Sequence, residues 1–117
     1  MGPLQNANFY KGQPTTSATT LATVPAGEDW ILDNVVACNN DGSTAYGYTL
    51  DVVPSGGTAG VTHRVAAALS VAAVSSSSLA STLGTLGIVM QPGDFLSGLQ
   101  GTTAKITLWV TGRIRTH

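Results

Sequence analysis

A chain of 117 residues with 43% hydrophobic but only 9% charged positions has enough apolar material for one core and is not composed like a disordered chain. Its six acids and five bases give a formal net charge of −1, which leaves no positive excess for neutralising phosphates, so nucleic acid is not an expected partner. Polarity rests instead on Ser, Thr, Asn and Gln, and 14 glycines punctuate a sequence that reads as short β-branched strands joined by turns.

Residues 1–18 show no hydrophobic period and hold Pro3 and Pro14 on either side of the adjacent aromatics Phe9 and Tyr10. They are predicted to form an extended N-terminal arm that docks on a neighbour through those two rings. Residues 19–117 then form the folded domain, which is expected to stand without the arm.

The domain repeats an alternating apolar run followed by a turn. Residues 19–24 are a first strand, closed by Pro25-Ala26-Gly27. Residues 30–38 are a second, in which Trp30, Leu32, Val36 and Cys38 fall on one face and Asn34 is a misfit. Asn39-Asn40-Asp41-Gly42 is a strong turn signal, and residues 44–53 alternate cleanly beyond it, so these two strands are expected to pair as a hairpin. Pro54-Ser55-Gly56-Gly57 ends that run. The stretch 61–74 mixes helix-favouring alanines with strand-favouring valines, and is predicted as one helical turn near 64–69 followed by a strand at 70–74. Residues 75–78 are four serines and read as a loop. Residues 79–90, broken by Gly84 and Gly87, read as a bent or split strand. Gln91-Pro92-Gly93-Asp94 is a tight turn, residues 95–100 a strand, and residues 104–114 the last strand. In that strand Ile106, Leu108 and Val110 share one face, and Lys105, Thr107, Trp109 and Thr111 the other. The sum is an all-β antiparallel sandwich of seven to eight strands, of jelly-roll or immunoglobulin-like kind.

The chemistry-bearing residues form no recognisable constellation. Glu28, Asp29, Asp33, Asp41, Asp51 and Asp94 fall in turns or on strand faces read as exposed, with no spacing that predicts a facing carboxylate pair. His63 and His117 lack metal-ligand spacing, no serine sits in a nucleophile elbow, and Cys38 is the single cysteine, read as a small buried hydrophobe. No catalytic residue, metal or cofactor is therefore expected. Arg113, Arg115 and His117 are read as a solvated tail. The N-terminus lacks the basic and apolar segments of a signal peptide, and Ser70 interrupts the longest apolar run. Synthesis in the cytoplasm and no membrane partner are expected. The outward face Lys105, Thr107, Trp109, Thr111 is the candidate contact surface. Trp109 could bind protein, stack on a glycan, or simply cover a sheet edge or pack under the N-terminal arm.

The succession Thr19-Thr20-Leu21-Ala22-Thr23-Val24-Pro25-Ala26-Gly27, Val36-Ala37-Cys38-Asn39, Val53-Pro54-Ser55-Gly56-Gly57, Val89-Met90-Gln91-Pro92-Gly93-Asp94 and Val110-Thr111-Gly112 resembles small structural proteins of tailed bacteriophages. That resemblance spans residues 19–113. It implies a non-enzymatic virion component and does not by itself fix which part of the virion. A rigid sandwich, an arm that can add a strand to a neighbour and a low charge make a decoration (cement) protein on the capsid exterior, bridging major capsid protein subunits, the primary expectation. Neck, tail or fibre proteins are the alternative within the same class. Self-association, plausibly as a trimer, is expected by analogy.

Overall fold

In a computed structural model the chain describes residues 4–73, 75–78, 88–102 and 105–116. Nine strands and one 3-10 turn are found among them. The strands are β1 (Leu4–Gly12), β2 (Thr19–Thr23), β3 (Glu28–Asn39), β4 (Tyr46–Val53), β5 (Arg64–Val71), β6 (Ser75–Ser78), β7 (Ile88–Met90), β8 (Phe95–Gln100) and β9 (Ile106–Thr116). They form two antiparallel sheets, an all-β sandwich as the sequence predicts. One sheet runs β1-β9-β3, with β6 and β7 both on the far side of β3; the other runs β2-β8-β4-β5.

The inner faces supply one core. Leu32, Val35, Ala37, Ile106, Leu108 and Val110 from the first sheet and Tyr48, Leu50 and Leu96 from the second are almost wholly buried, with Met90 among them. Burial of this apolar surface is the main force holding the sheets together. Tyr48 carries its hydroxyl into this core, where it has no hydrogen-bond partner among the described residues, and burial pushes its pKa up to about 12.

The structure departs from the sequence reading in several places. The segment expected to be an arm outside the sandwich is β1 over Leu4–Gly12, paired with β9 and so part of the sheet. Chain-distant pairing of this kind leaves no local signature. The expected hairpin of the second and third strands is instead a corner between sheets, since β3 and β4 lie in different ones. Side-chain bonds hold that corner: Asn39 Nδ2 donates to the Thr44 and Val71 carbonyls at 3.0 and 2.9 Å. The Asp41 carboxylate accepts the Ser43 and Thr44 amides at 3.1 and 2.7 Å. Residues 64–69 are strand, not helix, and the short helical turn lies earlier, at Val61–His63. Pairing along β4 overrides the helix propensity of the alanines. Ser75–Ser78, read as a loop, is β6 on the edge of β3. Of the predicted split strand, Ile88–Met90 is β7, and 79–87 lie outside the described residues. Asp51 is buried rather than exposed, its carboxylate 3.1 Å from the Arg64 guanidinium.

A bulge resolves the misfit at Asn34. The register of β3 against β9 slips between Leu32 and Asn34, so Asp33 is the extra residue. Beyond it Val35, Ala37 and Asn39 turn inward, while Val36 and Cys38, expected inside with Trp30 and Leu32, stand half-buried on the outer face. Trp30 itself is core.

Candidate interaction surface

β9 lies between β1 and β3, and its outward side chains run down the middle of the first sheet. Ile106, Leu108 and Val110 point inward; Thr107, Trp109 and Thr111 point outward, as their alternation predicts. Trp109 is 36% exposed, one of three large exposed apolar side chains among the described residues, with Leu4 and Val89. Its cross-strand neighbours are Lys11 and Val36, and the Lys11 ammonium stands 4.4 Å from the ring centroid. A cation so placed is attracted to the ring face, and it covers one of the two faces on which a sugar could stack. The Thr107 hydroxyl accepts from Gln13 Nε2 at 3.4 Å and Asn40 Nδ2 at 3.3 Å. Thr111 lies between Asn8 and Asn34.

The two arginines of this face are ion-paired within the chain. Arg113 binds both oxygens of Asp33 at 2.9 and 3.1 Å, and Arg115 lies 3.5 Å from Asp29. Arg113 and Arg115, read as a solvated tail, are thus part of β9. Lys105 leaves the Trp109 row for the β3–β4 corner, where its ammonium sits 3.1 Å from Asp41 and over the Tyr46 ring. The Ser43 amide, the Lys105 ammonium and the Thr44 amide together hold the Asp41 carboxyl down at about 2.

Phe9 and Tyr10, expected to reach a neighbour, face this chain's own core. A bulge in β1 between Asn8 and Tyr10 makes Phe9 the extra residue, which brings both rings to the same side of the strand. The Phe9 ring stacks on Trp30 with centroids 4.3 Å apart and planes 8° from parallel. The bulges at Phe9 and Asp33 face adjacent steps of β9, Phe9 opposite Val110–Thr111 and Asp33 opposite Thr111–Gly112. Beside these steps lies an open depression of about 410 Å³ lined by Asn6, Ala7, Asn8, Asp33, Thr111 and Gly112.

Sequence reasoning missed Gln100. It is fully buried, its Oε1 accepts the Lys105 and Ile106 amides at 3.1 and 2.8 Å, and its Nε2 donates to the Pro14 carbonyl. Its own backbone amide donates to Thr15 at 3.0 Å. The segment after β1 is therefore strapped to the β8–β9 loop. The available signal was the alternation of β8, which places Gln100 in the inward series of Leu96.

Among the described residues no group of three or more His, Cys, Asp or Glu side chains is placed to hold a metal ion. No helix among them is long and apolar enough to cross a membrane.

The chain is thus an antiparallel β-sandwich whose first sheet presents an outer face with Thr and Asn side chains around Trp109. A solved structure shares this architecture. A chain of the Bacillus endospore appendages, described as a novel family of disulfide-linked pili, matches with a TM-score of 0.53 at 16% identity, covering 97% of this chain and 87% of that one. A chain of infectious bursal disease virus, Gx strain, matches with a TM-score of 0.46 at 16% identity, covering 96% of this chain and 30% of that one. The likeness to the appendage chain is one of fold. No protein-family model matches the sequence, and no curated protein does.

Proposed function

We propose that the chain is a non-enzymatic structural component of a virion, and specifically a decoration protein that binds major capsid protein subunits on the exterior of a tailed-phage head. The observation that carries this reading is the outer face of β1, β9 and β3. Arg113 and Arg115 are ion-paired within the chain, Lys11 stands over the Trp109 ring, many of the other polar side chains are neutral Thr and Asn, and an exposed tryptophan stands near its middle. Such a face loses little by desolvation when another protein covers it, and a central aromatic is the usual anchor of an interface. Weak contacts repeated over a lattice then add through effective concentration. The ordered turn motifs of tailed-phage structural proteins support the virion setting.

A neck, tail or fibre protein has the same physical requirements and differs in copy number. A second reading, a subunit of a bacterial surface filament, takes its support from the fold shared with the endospore appendages. A glycan platform is disfavoured by Lys11 over the Trp109 ring.

Quantitative mass spectrometry of particles purified from the source culture tests this. Decoration predicts copies comparable in number to the major capsid protein, and a neck or fibre role predicts few. Recovery of the chain as the main component of filaments, or its absence from every particle, would overturn the proposal.

A further inference from the structure

The sandwich has four lateral edges, and they are not equally protected. β2 is a five-residue strand with a register slip, and β5 slips twice against β4. Among the described residues, the edge beyond β3 carries the four residues of β6 and the three of β7. β1 differs from all of these. It is nine residues long, contains no proline and no acid, and keeps unbroken register with β9 from Leu4 to Asn8. Its one charge, Lys11, lies beyond the bulge and over Trp109. Native edges are usually blunted by prolines, charges or bulges, and residues 4–8 of this one carry none.

From this we propose that β1 is a self-association edge, where β1 of a second copy adds antiparallel and joins the two first sheets into one. The inference rests on the reading of the chain as an assembly component, and names a partner for it. Three observations favour a second copy as the occupant. The segment Leu4-Gln5-Asn6-Ala7-Asn8 is uncharged, so it meets itself without like-charge repulsion. An antiparallel pairing about Asn6 sets Leu4 opposite Asn8 and Gln5 opposite Ala7, and Asn and Gln amides can pair across it. The net charge of −1 does little to keep copies apart. The symmetric pairing uses β1 on both sides and closes as a dimer.

The test is sedimentation of the full chain over a range of concentrations. The wild type is expected to form a species of twice the chain mass, with amide exchange in residues 4–8 slowing as concentration rises. Asn6→Lys with Asn8→Lys changes exposed side chains only, sets like charges across the junction, and should weaken dimerisation at least about tenfold. The variant Asn6→Asp with Asn8→Asp should do the same, and an equimolar mixture of the two should restore a mixed dimer. Circular dichroism of each variant checks that the sandwich is intact, and the wild-type exchange measurement stands if one fails to fold. A wild type that stays monomeric, exchange independent of concentration, or association indifferent to both charged variants would overturn the proposal. Binding to particles by a monomeric wild type would remove this inference and leave the structural role standing.

Discussion

A β-carbon on Gly112 would stand 1.9 Å from the Ile31 carbonyl oxygen and 2.7 Å from the Phe9 ring. Neither neighbour can move independently, because Phe9 is stacked on Trp30 and Ile31 is paired within the sheet. Gly112→Ala is expected to cost about 3 kcal/mol in urea unfolding. Tyr48 shows the opposite situation, since its buried hydroxyl has no partner among the described residues. Tyr48→Phe should raise stability by about 1 kcal/mol, because a desolvated group is removed with no bond lost. Its pH signature follows from a folded pKa of about 12 against an ordinary 10.0. Below pH 10 the buried neutral phenol costs nothing in ionisation; as pH rises from 10 towards 12 the unfolded chain ionises first and stability falls. The alkaline limb of a stability profile should therefore be shallower in Tyr48→Phe than in the wild type.

At the scale of elements, what could be read from the sequence was what local chemistry determines. Val24-Pro25-Ala26-Gly27, Val53-Pro54-Ser55-Gly56-Gly57 and Gln91-Pro92-Gly93-Asp94 all turn where expected, with Gly27, Gly56 and Gly93 at positive φ. They also meet in space: Asp94 accepts the Ser55 amide at 3.0 Å, and the Val24 amide donates to the Asp94 carbonyl at 2.9 Å. The faces of β9 were legible because no bulge interrupts its alternation between Ile106 and Val110. Those of β3 were not, because one extra residue at Asp33 inverts everything after it. β1 and β6 were missed because each is a strand only by virtue of a distant partner, β9 for one and β3 for the other. The strap at Pro14 and Thr15 was hidden for the same reason. The sequence suggests that residues 19–117 fold alone; the structure predicts otherwise in degree. Deleting residues 1–18 strips β1 from β9 and uncovers Trp30, so the truncated chain should show a lower urea midpoint and a red-shifted tryptophan emission. Unchanged values for both would mean that β1 contributes nothing to the domain.

For the whole molecule, a body of 48 × 26 × 20 Å with one core suits a rigid part that binds by shape. Specificity then lies in side chains on strands, which hold their positions better than loops. Trp109 reports most directly on whether the outer face of the first sheet is used. Hydroxyl-radical footprinting of the free chain and of intact particles carrying it compares the oxidation of Trp109 in the two states. The account predicts strong protection of Trp109 in the particle; equal oxidation in both states would contradict it.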